Sequence, residues 1–181
     1  MTPRVISEKS LCEGQYQRLT LLTWVDARGR ERTWECSRRQ VPGAVLMIAV
    51  TPEGDLLLVR QFRPPMNAYV LELPAGLTDQ RGEAQVATAA RELEEETGYR
   101  PGRVELLAEG PVSPGMGSEY IWVYLCRDLV QTAPRPDDGE DIEIVRVPFA
   151  TAERELLALH RAGQMMDLKV FGLLGLARMR E

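Results

Sequence analysis

The segment Arg91-Glu92-Leu93-Glu94-Glu95-Glu96-Thr97-Gly98-Tyr99 gathers acid around one arginine, and the order of its residues carries chemistry. Glu92, Glu95 and Glu96 stand at i, i+3 and i+4, so a helix would bring the three carboxylates onto one face within a turn. Like charges that close repel, and a helix gains no stability by collecting them. A bound divalent cation relieves the repulsion, and hard ions such as Mg²⁺ take oxygen ligands of this kind. The plainer alternative is a solvated acidic helix face.

The flanks favour the cation. Gly76 precedes the segment, Glu83 is placed to begin the helix, and Gly98 stands where a C-cap glycine would end it. Gly, Glu, Arg-Glu-apolar-x-Glu-Glu-x-Gly-apolar is the pattern of the Nudix box, and this segment closely resembles the Nudix hydrolase family. The family puts five residues between its first Gly and first Glu. Here six intervene, and the extra residue falls in the turn at 78–82, which leaves the register from 83 to 99 intact.

On this reading Glu92 and Glu96 are the primary metal ligands and Glu95 shares their cluster. The resemblance adds the backbone carbonyl of Ala75, next to the first glycine of the box. It also implies Mg²⁺, with Mn²⁺ or another divalent ion as substitutes. Glu83 and Arg91 are expected to hold the carboxylates by pairing with them, although an acid in the position of Glu83 is equally what a helix dipole favours. A base is still needed to take a proton from water. His160 is the only histidine and lies in an amphipathic helical stretch, ATAERELLALHRAG, so zinc sites built on several histidines are excluded and the base must be a carboxylate. The acidic loop at 136–141, bounded by Pro136 and containing Gly139, offers several. Its alternative is a solvated turn.

Composition sets the outer limits. A chain of 181 residues can bury one ordinary core with a small addition. Net charge is −5 with no basic run, so nucleic acid has no electrostatic handle. Cys12, Cys36 and Cys126 are odd in number and without metal-like spacing, which reads as reduced thiols. No apolar run approaches the roughly 18 residues of a membrane span, and the first residues lack the apolar core of a signal peptide. The expectation is a cytoplasmic protein with no membrane partner.

The elements that would position these residues follow from periodicity. Residues 16–39 read as two or three strands, with 18–24 and 31–36 flanking the hairpin signal Asp26-Ala27-Arg28-Gly29. This piece is rich in arginine and poor in apolar residues, so it is expected to be a small sheet that packs against something else. From Gly43 the chain turns apolar. Strands are expected at 44–50, 56–59, 69–74, 104–108, 120–126 and 142–147, the box helix after Gly76, and two closing helices at 150–162 and 167–179. Strands on both sides of a central helix, with helices at the end, give an α/β protein. The resemblance makes this the Nudix fold, an α/β/α sandwich with a mixed sheet. The division is a β subdomain at 1–42, with antiparallel strands, and a hydrolase domain at 43–181.

Beyond the box the chain looks most like the ADP-sugar pyrophosphatases of the family, over roughly residues 13–149. Gln61-Phe62-Arg63-Pro64-Pro65-Met66, Glu72-Leu73-Pro74-Ala75-Gly76-Leu77 and Ser113-Pro114-Gly115 carry that likeness. It implies hydrolysis of ADP-ribose to AMP and ribose 5-phosphate. It assigns the catalytic glutamate to Glu140, beside Glu95 and Arg91, with Asp138 and Asp141 as fallbacks. Trp34 falls where these enzymes stack a tryptophan on adenine, and Tyr16 falls where they have a second one. An aromatic clamp suits a flat base. Arg39 and Arg63 match arginines that contact phosphate and ribose, work suited to the guanidinium fork. Pro114 and Gly115 complete the substrate set. The subgroup shares its sites across a two-fold axis, which implies a homodimer; a core-poor sheet at 16–39 is what such sharing requires.

Two other functions fit part of the pattern. GDP-mannose hydrolases of the family also carry Ser-Pro-Gly after the box and Glu-Asp-Ile-Glu before the last strand, as at Ser113–Gly115 and Glu140–Glu143. A non-catalytic Nudix domain that senses a ligand belongs to another class, and it often lacks box glutamates that are all present here.

Overall fold

The computed structural model describes residues 1–135 and 141–180. They form two compact units, residues 1–44 with 110–121, and residues 45–109 with 122–180.

The first unit is built on an antiparallel sheet of β1 (Arg4–Glu13), β2 (Gln17–Val25) and β3 (Glu31–Arg39), in that order. The β2–β3 hairpin closes where its sequence says it should. Asp26 Oδ1 accepts the amide N–H groups of Arg28 and Arg30 at 2.8 and 3.0 Å, and Gly29 supplies φ of 78°. β1 is an addition to the expected strands. All ten of its residues are exposed, so no burial period marks it in the sequence.

The second unit carries the core. β4 (Ala44–Val50) and β5 (Asp55–Arg63) form a hairpin, followed by β6 (Ala68–Glu72), β7 (Ala75–Leu77), α1 (Gln85–Thr97), β8 (Tyr99–Pro111) and β9 (Tyr120–Gln131). The chain ends with β10 (Ile142–Pro148), α2 (Ala152–Arg161), β11 (Met165–Met166) and α3 (Lys169–Arg178). The sheet order is β11-β6-β5-β4-β9-β8, with β10 on β5 and β7 on β4. β11 runs parallel to β6, whereas β4, β6 and β10 run antiparallel to β5, so the sheet is mixed and the protein is α/β as expected.

β5 explains much of this geometry. It pairs with β10 along Asp55–Gln61 and with β6 along Val59–Arg63, and its Leu56–Val59 are fully buried. Long-range pairing therefore carries it four residues past the stretch that its apolar run indicates. Val45, Met47 and Ala49 of β4 pack with Leu57, Ala89, Leu93 and Tyr124 in one cluster, and Leu46 and Ile48 on the opposite face are buried too. A strand covered on both faces reads as a continuous apolar run, as this one does.

Candidate functional site

α1 holds the acidic face because its other face is needed by the core. Ala89 and Leu93, one turn apart, are both fully buried in the cluster. Gly98 ends the helix in the left-handed conformation at φ 69°, donating its N–H to Glu94 O at 2.9 Å. The start differs from expectation. The helix begins at Gln85 with Ala84 as its N-cap, so Glu83 lies just outside it. From that position the Glu83 carboxylate is engaged as an acceptor. Oε2 accepts from Thr88 Oγ1 at 2.8 Å, and the two oxygens accept from Arg91 Nε and Nη2 at 3.2 Å each. These bonds hold the Glu83 carboxyl below its usual range, the Arg91 bonds most strongly.

Arg91 is the hub of this face. Its Nη1 reaches Glu92 Oε1 at 2.9 Å and Glu95 Oε2 at 2.7 Å, while its other nitrogens hold Glu83. Three carboxylates thus share one guanidinium, whose proton affinity they raise. The third box glutamate points elsewhere. Glu96 is buried, and its Oε2 accepts the backbone N–H of Ala75 at 3.1 Å.

The strand that presents Ala75 is set by the sheet. Met47 N–H donates to Pro74 O at 2.9 Å, and β7 then pairs with β4 and packs on α1. Gly76 is essential to that approach. A Cβ there would lie 2.1 Å from both Cγ and Cδ of Glu92. So tightly enclosed a carboxyl resists ionisation; burial pushes Glu92 up to about 7, against the opposing pull of Arg91. Among the described residues no three acidic, histidine or cysteine side chains are gathered closely enough to form a ready-made cage. What the residues present does fit a divalent ion in kind. Glu92, Glu95 and Glu96 are oxygen donors on one helix, two of them beside the Ala75–Gly76 backbone, and a cation would offset the burial of Glu92.

Arg63 lies at the end of β5, in the same unit as the box. Its Nε and Nη2 donate to the two oxygens of Glu72 at 2.9 and 2.5 Å. Glu72 is buried, and the carboxylates of Glu96 and Asp167 are close enough to act on the same guanidinium. The sequence signal for Glu72 was present, in Glu72-Leu73-Pro74-Ala75-Gly76, but its role as the arginine's partner depends on the β5–β6 pairing.

The remaining candidates belong to the first unit. Trp34 on β3 is 51% exposed, and its indole Nε1 donates to Gly115 O at 3.0 Å. Its edge is therefore fixed while much of its surface stays open. Pro114 and Gly115 sit in the loop at 112–119, which Ser37 joins through Met116 O and Ser118 N. Arg39 ends β3 and pairs through Nε with Glu119 Oε1 at 3.2 Å. It also lines a polar recess with Glu13, Gly14, Arg18 and Gln40. Tyr16, in the turn between β1 and β2, is 74% exposed.

Glu140 and Asp138 lie outside the described residues. Asp141 is described, and its Oδ2 accepts from Tyr69 OH at 2.9 Å. His160 is exposed in the last turn of α2. The three cysteines are free thiols, Cys12 exposed and the other two buried.

Comparisons with known proteins lead to the same family as the box pattern. A NUDIX domain is matched over residues 41–168. The ADP-sugar pyrophosphatase of Mus musculus is 35% identical over 183 residues, covering 92% of this chain and 84% of that protein. The ADP-ribose pyrophosphatase of Bacillus subtilis (strain 168) is 37% identical over 138 residues, covering 75% of this chain and 73% of that protein. A solved structure described as an ADP compounds hydrolase superposes with a TM-score of 0.84 at 22% identity, covering 99% of this chain and 94% of its own, and so shows the shared fold. The chain belongs to the Nudix family and is an enzyme of the Nudix hydrolase kind.

Proposed function

We propose that this enzyme hydrolyses the diphosphate linkage of ADP-ribose and related ADP-sugars, giving AMP and ribose 5-phosphate with Mg²⁺ as the working ion. The observation that carries the reading is the box helix, whose carboxylates meet the Ala75–Gly76 backbone at a glycine that no other residue could replace without displacing Glu92. The two pyrophosphatase relatives, which span most of the chain, support the substrate class.

Glu92, Glu95, Glu96 and the carbonyl of Ala75 would hold the ion. When bound, it would neutralise diphosphate oxygens and lower the pKa of water. Arg91 and Glu83 keep the carboxylates in register, and Arg91 must yield part of its hold on Glu92 and Glu95 as they take up a cation. Arg63 and Arg39 bind phosphate and ribose oxygens. Trp34 stacks on adenine, with Tyr16 as the second aromatic, and Pro114 and Gly115 lie against the substrate. Glu140 takes the proton from the attacking water. The water oxygen joins one phosphorus, the bridging oxygen leaves with the other, and the two phosphomonoesters separate.

Assembly and location belong to the same reading. A homodimer is supported by β1, a fully exposed strand that carries Val5, Ile6 and Leu11 on its surface. Light scattering is expected to give twice the chain mass. Free thiols suit a reducing compartment such as the cytoplasm.

A substrate panel with product identification tests the function. ADP-ribose is expected to be turned over with AMP and ribose 5-phosphate as products. Preferential turnover of GDP-mannose would replace the substrate assignment, and turnover of no nucleoside diphosphate sugar would refute it.

A further inference from the structure

Successive residues of a strand face opposite sides of its sheet, so the pairing registers show which side chains share a face. Val59 of β5 pairs with Glu72 of β6 and with Ile144 of β10, so β6 and β10 flank β5, and Arg63 follows Val59 at an even spacing. Ile144 packs against the cluster that holds Ala89 and Leu93 of α1, which makes this the face of the box helix. Phe62 with Tyr69, and Arg60 with Glu143, pair on the opposite face. Asp141 stands two residues ahead of Glu143, and its Oδ2 accepts from Tyr69 OH at 2.9 Å, so it belongs to that opposite face too. The phenol reaches across β5 to meet it, and its ring is held on the way. The Arg60 guanidinium lies 4.3 Å from the ring centroid, and the Phe62 ring meets it edge-on at 5.7 Å. Arg60 is itself fixed, its Nε donating to Gln164 Oε1 at 3.3 Å and its Nη1 to Glu143 Oε2 at 2.9 Å. Two side-chain ties therefore hold the start of β10 on this face, Arg60–Glu143 and Tyr69–Asp141.

We propose that Tyr69 and Asp141 are positioning residues: their bond pins the chain to the sheet where the acidic segment enters β10, and it assigns Asp141 to that task and not to taking a proton from water. The face of the sheet decides the second point. The Asp141 carboxylate is turned from the side that carries Arg63, Glu72 and the box helix, and it is engaged by a phenol whose ring is held by Arg60 and Phe62. The first point follows from where the bond falls. Asp141 is the residue just ahead of the β10 ladder, whose first pair is Ile142 with Gln61, so a tie at Asp141 holds the end of that ladder against fraying. The pin is a property of the fold. Its effect on turnover rests on the reading that the segment at 136–141 supplies the base.

Tyr69→Phe, Asp141→Ala, Asp141→Asn and the double variant Tyr69→Phe/Asp141→Ala test both points in the full chain. Phenylalanine keeps the ring over Arg60 and removes only the O–H, while asparagine keeps an oxygen that can accept it. Amide hydrogen exchange, read without substrate, is expected to quicken at least about threefold at the start of β10 in Tyr69→Phe and Asp141→Ala, and to match wild type in Asp141→Asn. With ADP-ribose, the first two variants are expected to lose about tenfold in kcat with KM within about twofold, as a displaced catalytic group would give. The double variant is expected to be no worse than the worse single one, because both remove the same bond. Asp141→Asn is expected to stay within about threefold of wild type and to keep the acid limb of its pH profile; a loss of about a hundredfold or more, with that limb gone, would make Asp141 the base and overturn the assignment. Wild-type exchange in Tyr69→Phe overturns the pin whatever the substrate. Faster exchange with unchanged kcat overturns its catalytic consequence alone. A wild-type protein that hydrolyses no nucleoside diphosphate sugar refutes the proposed function instead, and exchange still decides the pin. Should Tyr69→Phe fail to fold, Asp141→Ala breaks the same bond from its exposed end.

Discussion

Gly76 and Glu92 stand so close that a single added methyl on the glycine would fall 2.1 Å from the glutamate's Cγ. The clash is with a movable side chain, so the fold can give way at low cost while the carboxylate is driven from its place. Gly76→Ala is therefore expected to melt within about 1–3 kcal/mol of wild type, the ordinary cost of overpacking. Turnover is expected to fall at least about a hundredfold, because a catalytic group misplaced by an ångström costs that much. Thermal melts and kcat on one preparation check both halves. Near-normal turnover would show that Glu92 is dispensable where it stands.

Glu96 offers the converse test, since its carboxylate has both a structural and a chemical task. Ala75 N–H needs an acceptor at Glu96, and glutamine supplies one. What glutamine lacks is charge. Glu96→Gln is expected to fold with a melting temperature close to wild type and to lose about a hundredfold or more in turnover at limiting Mg²⁺. Turnover measured across a Mg²⁺ series decides it; a wild-type response would remove Glu96 from the metal site.

Trp34 should reveal itself in KM. Half of its surface is open and its one hydrogen bond goes to a loop carbonyl, so truncation should cost little stability. Losing a base-stacking platform costs roughly 1–3 kcal/mol. Trp34→Ala is expected to raise KM for ADP-ribose accordingly, with a smaller effect on kcat, because stacking acts alike on ground and transition states. Equal KM values for variant and wild type would place the tryptophan outside the binding site.

What could be read from the sequence was local and periodic. The carboxylate face of α1 and its Gly98 stop follow from residue types at helical spacing, and the β2–β3 hairpin from Asp26 and Gly29. What could not be read was long-range. β1 buries none of its residues, so Arg4–Glu13 carries no period to find, and only pairing with β2 makes it a strand. Glu83 was expected to begin the helix from its place in the box pattern, yet its ion pair with Arg91 forms from just outside the helix. The bond from Trp34 to Gly115 spans 81 residues, and no local pattern announces it. Glu72 stood in view within a recognised stretch, but its task appears only when β5 and β6 bring Arg63 to its face.

The last helix supplies a prediction about pH. Arg178 on α3 grips Glu153 on α2 with Nε and Nη2, both at 2.6 Å, donates to Phe149 O at 2.6 Å, and stacks 4.8 Å over the Phe149 ring. Hydrogen bonds from Arg178 hold the Glu153 carboxyl below its usual value, against the smaller effect of burial. A depressed folded-state pKa means that the folded protein releases this proton more readily than the unfolded chain. The pair's contribution is thus fully present above about pH 4.5 and lost as pH falls through the folded value. Because Glu153 keeps 45% of its side chain exposed, solvent screening limits the contribution to about 0.5–1 kcal/mol. Glu153→Gln should accordingly melt below wild type at pH 7, and the gap should close as the pH is lowered below 4.5. A scan of melting temperature against pH for both proteins gives the answer; a gap that is absent at pH 7, or that persists unchanged into acid, would mean that the pair does not hold α3 to α2.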